Sequence, residues 1–180
     1  MKRTKIIGKP ILFFAALILS SCAGNQMVTQ HQLEKNLDAY PVLNFAVETS
    51  MNENIVNEMA VLRAKVHKKL QDLNLFQNIE FVDKPEPAEG KLLVKATITE
   101  IRKVIGAKRF FLGALAGKAA ITVDVVFIDI ATEEVLGSYT VTGKSGGSGL
   151  SGGTEDAIKK TAEAIVELIS SNYDKIVTNT

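Results

Sequence analysis

Of the 180 residues, one is a cysteine, two are histidines and none is a tryptophan. A lone thiol cannot close an internal disulfide, and His31 and His67 stand at no metal-ligand spacing to each other or to it. With aromatics at 6% and no tryptophan, the chain has few of the stacking platforms that hold sugars or nucleobases. An excess of one charge is also missing. Twenty-one basic residues face 20 acidic ones, which excludes the global electrostatic footprint of a nucleic-acid binder. The apolar run Ile11–Leu19 has nine residues, against the roughly 20 that a mature membrane-spanning helix needs.

What is present begins at the N-terminus. Lys2, Arg3, Lys5 and Lys9 precede that apolar run, and Leu19-Ser20-Ser21-Cys22 follows it. A basic leader, a short apolar stretch and small residues make a secretory signal peptide over residues 1–21. Its end resembles the lipobox of bacterial lipoproteins, in which small residues precede an invariant cysteine. The resemblance implies that Cys22 is the lipidated first residue of the mature chain, which accounts for the lone thiol. Ala23, rather than Asp, follows it; by the sorting rule of enteric bacteria this implies the outer membrane, with the domain facing the periplasm. Loss of residues 1–21 removes four basic residues and leaves 17 against 20 acidic ones, a net charge of −3.

Residues 22–40 are polar and lack periodicity, and read as a lipidated tether. One domain is expected over residues 41–178. Val42–Val47 is a strand candidate, and Ile55, Val56, Met59, Leu62, Val66, Leu70 and Leu73 recur at helical steps. Residues 78–83, 91–104, 119–130 and 135–145 read as strands. The third of these is β-branched and apolar on both faces, as a central strand is. Ala157, Ile158, Thr161, Ala162, Ile165, Leu168 and Ile169 trace a second helix ending near Val177. The order β-α-β-β-β-β-α predicts a single two-layer α+β domain, with a mixed sheet of four to five strands and both helices on one face.

Gly147–Gly152, GSGLSG, has the G-x-G-x-x-G spacing of dinucleotide-binding turns. The context is wrong. The strand before it alternates in polarity, no strand follows the next helix, and Glu155 and Asp156 would repel a pyrophosphate at that helix's start. The stretch from Gly146 to Gly153, with Gly147, Gly149 and Gly152 between them, reads as a flexible connection, and no cofactor is implied. Gly137–Ser145 misses the phosphate-loop spacing by one residue. Asp124 and Asp129, five apart on one strand, fall on opposite faces and cannot share acid-base work. Asp129 reads as a turn-former and His67 as a solvated surface residue. No metal site and no catalytic set emerge, and the chain is expected not to be an enzyme.

One connection stands out. Residues 104–118, VIGAKRFFLGALAGK, join two strands yet carry Phe110, Phe111, Leu112 and Leu115 behind Lys108 and Arg109. Ordinary hairpin loops are short and polar. Two readings are open: the apolar residues fold back on the core or extend the strands, or they form an exposed contact surface for lipid or protein.

The C-terminal half resembles a bacterial lipoprotein family known as domain of unknown function 4410. The resemblance rests on Ile101-Arg102, Gly113–Gly117, the stretch VDVVFIDIATEEVL and the GGTEDAIKKTAEAIVELI tail, covering residues 91–170. Asp129, Thr132, Val135 and Leu136 are similar to the D-x-x-T-G-x-V-L of the curli-secretion channel lipoprotein, except that Glu133 replaces the glycine. A more distant similarity links the chain to the N-terminal domain of TolB. These resemblances imply a non-catalytic envelope protein that binds or helps assemble other envelope proteins. The alternatives are a self-assembling ring or pore subunit and a small-ligand carrier. The expected partners are the membrane, through the anchor, and another envelope protein or further copies of the chain, with no nucleic acid.

Overall fold

The computed structural model describes residues 25–83, 85–103, 118–146 and 153–173. In chain order these form β1 (Asn25–His31), a 3-10 turn (Leu37–Ala39), β2 (Val42–Thr49), α1 (Val56–Leu73), β3 (Asn78–Phe81), β4 (Lys91–Arg102), β5 (Ala120–Asp129), β6 (Val135–Lys144) and α2 (Thr154–Tyr173). One six-stranded sheet runs β1-β6-β5-β4-β2-β3. β2 is parallel to β3 and β4, and every other pairing is antiparallel. The α+β architecture is the expected one, with six strands rather than four to five.

The added strand is β1, inside the segment read as a tether. Asn25 to His31 pair antiparallel with β6, and six of the seven are exposed. Leu33, Leu37 and Tyr40, in the same segment, join the main core. Residues 25–40 are therefore part of the domain. An edge strand wet on both faces carries no apolar alternation, so composition alone cannot separate it from a linker.

The two helices follow from periodicity. Leu62, Val66 and Leu70 form the buried stripe of α1. Asn74, at φ 50°, ends that helix in the left-handed conformation, its N–H donating to the Gln71 carbonyl at 3.2 Å. α2 buries a wider face, from Ala157 through Ile169. Both helices share one core with Phe45, Val94, Ala96, Val125, Phe127, Tyr139 and Val141 of the sheet.

Among the described residues, the opposite sheet face has no helix on it. Ala46, Leu93 and Ile130 form a small second cluster there with Val82 and Ile128. Elsewhere that face is a hydrogen-bonded polar lattice: the Thr140 hydroxyl donates to Asp124 at 2.7 Å, and Thr122 and Thr142 lie 3.2 Å apart. β5 is thus fully buried on one face and half-buried on the other, where its sequence reads as apolar on both.

Candidate functional site

Register brings one end of the sheet together. Asn25 stands opposite Gly143, Gly143 opposite Ile121, and Ile121 opposite Ile101. Three features singled out in the sequence enter or leave the described chain at this row. The N-terminal segment bearing Cys22 joins at Asn25. The segment bearing Lys108, Arg109, Phe110, Phe111, Leu112 and Leu115 leaves after Lys103 and returns at Lys118. The glycine stretch leaves after Gly146 and returns at Gly153. Cys22, those six residues and Gly147, Gly149 and Gly152 themselves lie outside the described residues, as does the choice between a core and an exposed apolar connection.

The bases of these segments are tied to each other. The Ser145 N–H donates to the Ala119 carbonyl at 2.8 Å, and the Ala119 N–H donates to Ser145 Oγ at 3.0 Å. Ser145 is buried at this pair. The Gly146 N–H donates to Asp156 Oδ2 at 2.7 Å. That carboxylate therefore serves the start of α2 and the start of the glycine stretch together. Gly153 has open space around it. The Arg102 Nε donates to the Lys118 carbonyl at 3.3 Å, joining the two stems of the long connection.

Lys103, at the start of that connection, reaches back to α1 and meets Glu58 at 2.7 Å. This contact holds the Glu58 carboxyl below its usual range and raises the Lys103 ammonium. No periodicity in the sequence signals it.

The other end of the sheet is clamped by two phenols. Tyr139 Oη accepts from the Leu33 N–H at 2.8 Å, and Tyr40 Oη donates to Asp129 Oδ2 at 2.8 Å. The Tyr40 bond holds the Asp129 carboxyl below its usual range, helped by the Thr132 and Ala131 N–H groups. Burial, followed by the bond to Asp129, pushes the Tyr40 phenol well above its own. Asp129 Oδ1 accepts from Ala131 and Thr132 at 3.0 and 3.2 Å, the turn-forming role read from the sequence.

His67 departs from expectation. It is half-buried, its ring edge-on to Phe81 with centroids 4.5 Å apart. It lines a groove of about 460 Å³ between α1 and the β2–β3 edge, with Val47, Val56, Met59 and Phe81. Arg63 sits over the Phe81 ring and pairs with Asp83 at 3.0 Å on the rim. Among the described residues, no three His, Cys, Asp or Glu side chains converge as a metal site would require. Asp124, on the helix-free face, is engaged by Thr140.

Comparison with known proteins adds three findings. The model of the family described as Domain of unknown function (DUF4410) matches residues 26–149. The match takes in β1 and β2, upstream of where the sequence resemblance begins, and stops within the glycine stretch. The fold is similar to PelC from Paraburkholderia phytofirmans, a dodecamer, with a TM-score of 0.54 at 14% identity, covering 80% of this chain and 96% of that one. A leucine-to-methionine variant of the same dodecamer gives 0.51 at 12%, covering 79% and 97%. A hypothetical protein from Chlamydia trachomatis gives 0.44 at 10%, covering 73% and 99%. At these identities the likeness is one of fold. No curated protein matches the sequence significantly.

Proposed function

We propose a function from one premise: the chain belongs to the DUF4410 family. It is an envelope lipoprotein, anchored through Cys22 in the outer membrane and facing the periplasm, whose non-catalytic domain binds or helps assemble other envelope proteins. The observation that carries this reading is the register at the sheet's end. Asn25, three residues after Cys22, lies in the same row as the stems of the apolar connection and the glycine stretch. An anchor there and a contact segment beside it make one working end. Among the described residues, no helix is long and apolar enough to cross a membrane, so the reading needs the lipid.

A second reading is favoured by one observation. PelC, which shares the fold, is a dodecamer, and this supports self-assembly as the form the association takes.

Both are tested by photo-crosslinking in intact cells, with a crosslinking residue at Phe111 or, as control, at Thr132 on the opposite end. Labelled palmitate is followed in parallel with Cys22→Ala. The expected result is palmitate on the wild type alone and a discrete adduct from position 111 that position 132 lacks. An adduct to a different envelope protein upholds the first reading and an adduct between copies the second. Absence of palmitate removes the anchor, and absence of any discrete adduct removes the docking role.

A further inference from the structure

The same end of the sheet carries positive charge that the fold leaves uncompensated. Arg102 stands opposite Ala120, and Ala120 opposite Lys144. Their row alternates with Gly143 and Ile101, so both side chains lie on the helix-free face. Lys118 adjoins them through its carbonyl bond to Arg102. Arg102 and Lys118 are exposed and Lys144 is half-exposed. The Lys144 ammonium rests on Gln26 Oε1 at 2.7 Å, a neutral partner. Among the described residues none of the three has a carboxylate within ion-pair distance, whereas Lys103 beside them is matched by Glu58 and lies in the field of Glu53. Glu100 lies two rows inward on the same face, outside ion-pair distance of the three, where it accepts from Thr122 at 3.5 Å. At the far end the signs reverse. Asp129, Glu133 and Glu134 crowd the β5–β6 turn; Lys35 pairs with Glu134 at 2.6 Å, and Lys91, whose carbonyl accepts from the Ile130 N–H, is taken by Glu80 at 3.2 Å.

The ten residues of β5 separate the two ends by roughly 30 Å, about four Debye lengths at physiological salt. A charged surface at one end is therefore not felt at the other. We propose that Arg102, Lys118 and Lys144 form a docking surface for the anionic headgroups of the membrane that holds the anchor. The inference rests on the proposed lipidation of Cys22, because the chain from Cys22 to Asn25 reaches only about 10 Å. A domain tied that closely must turn some face to the bilayer. The face next to the tie is the cationic one, and the acidic turn points away. Anchor and charge together fix the orientation that a single flexible tie would leave free.

The test uses the full lipoprotein reconstituted into vesicles of phosphatidylcholine, with and without phosphatidylglycerol. A donor dye is attached at Thr142→Cys or Thr132→Cys, and an acceptor is carried on the headgroups. In anionic vesicles at low salt, transfer from position 142 is expected to exceed that from 132 by about twofold or more, and to fall in high salt. Arg102→Glu/Lys118→Glu/Lys144→Glu should bring the excess down to its value without phosphatidylglycerol, with an unchanged melting midpoint, and the Gln triple variant should remove about half of the difference. An excess unaffected by the charge variants, or identical without phosphatidylglycerol, overturns the proposal. If the wild type carries no lipid, the anchor has failed separately. The labelled chains are then floated with the same vesicles, where binding lost in the Glu variant upholds the surface and equal binding refutes it.

Discussion

Glu133 occupies the left-handed region at φ 57°, unusual for a residue with a side chain. The turn around it is closed on both sides. The Asp129 N–H donates to the Glu134 carbonyl at 3.0 Å, and Thr132 Oγ1 accepts from the Glu134 N–H at 3.4 Å. The backbone at position 133 has no room to relax into a commoner conformation. A glycine, which the D-x-x-T-G-x-V-L pattern has at this position, would adopt that conformation without the strain of a Cβ. Relief of left-handed strain is worth roughly 1–2 kcal/mol, and the greater freedom of an unfolded glycine returns about half of it. Glu133→Gly should therefore raise stability by about 0.5–1 kcal/mol in urea unfolding, with the Lys35–Glu134 pair intact. A loss of stability would mean that the turn is unstrained. At this scale the sequence was readable where a residue acts locally, as Asp129 does through amides two and three positions on. It was unreadable where a side chain is claimed by a distant strand, as His67 is by Phe81.

Helix α2 lies so close to β6 that a Cβ on Gly143 would come within 2.6 Å of the Thr161 amide nitrogen and 2.5 Å of the Ala157 carbonyl oxygen. Both are backbone atoms of a helix packed across the sheet, and the Thr161 hydroxyl is already bonded to the Ala157 carbonyl at 2.9 Å. Nothing there can swing aside. Gly143→Ala should cost about 2–3 kcal/mol, at the upper end of overpacking changes, while Gly153→Ala, with open space around it, should be close to neutral. Thermal unfolding of the two variants beside wild type checks the contrast; equal costs would show that α2 tolerates displacement. The strand β6 itself is legible from Tyr139 and Val141, though Val135, read with them, is exposed beside a register irregularity, and both helices from their three- and four-residue steps, because those elements bury one face. β1 buries none. The close approach at Gly143 is equally silent, since one glycine in a strand reads the same whether a helix, a bulge or solvent lies against it.

For the molecule as a whole, the informative relation is between residues far apart in the chain. Gln26 and Lys144 are 118 positions apart, yet they share a hydrogen bond at the row where anchor, apolar connection and glycine stretch meet. The sequence marks each of these features separately, by lipobox, composition and glycine count. Their convergence depends on β1 joining the sheet, the one strand that periodicity does not show. That strand also leaves an open edge: seven residues with no lysine and no proline, and Met27 and Val28 exposed. Soluble monomers usually blunt such edges with charge, proline or a bulge. Here there is one irregularity, between Thr29 and His31. Among the described residues that irregularity is the edge's one guard, and an edge so lightly protected is what a protein that meets further chains would carry. Light scattering on residues 23–180, without the lipidated cysteine, beside a variant with Phe110, Phe111, Leu112 and Leu115 changed to Ser, separates the cases. A defined oligomer for wild type and a folded monomer for the variant are the outcome expected of an assembling subunit. Two folded monomers would move the role to a separate envelope partner. An unfolded variant would place the four side chains in the core and leave the β1 edge as the remaining surface for association.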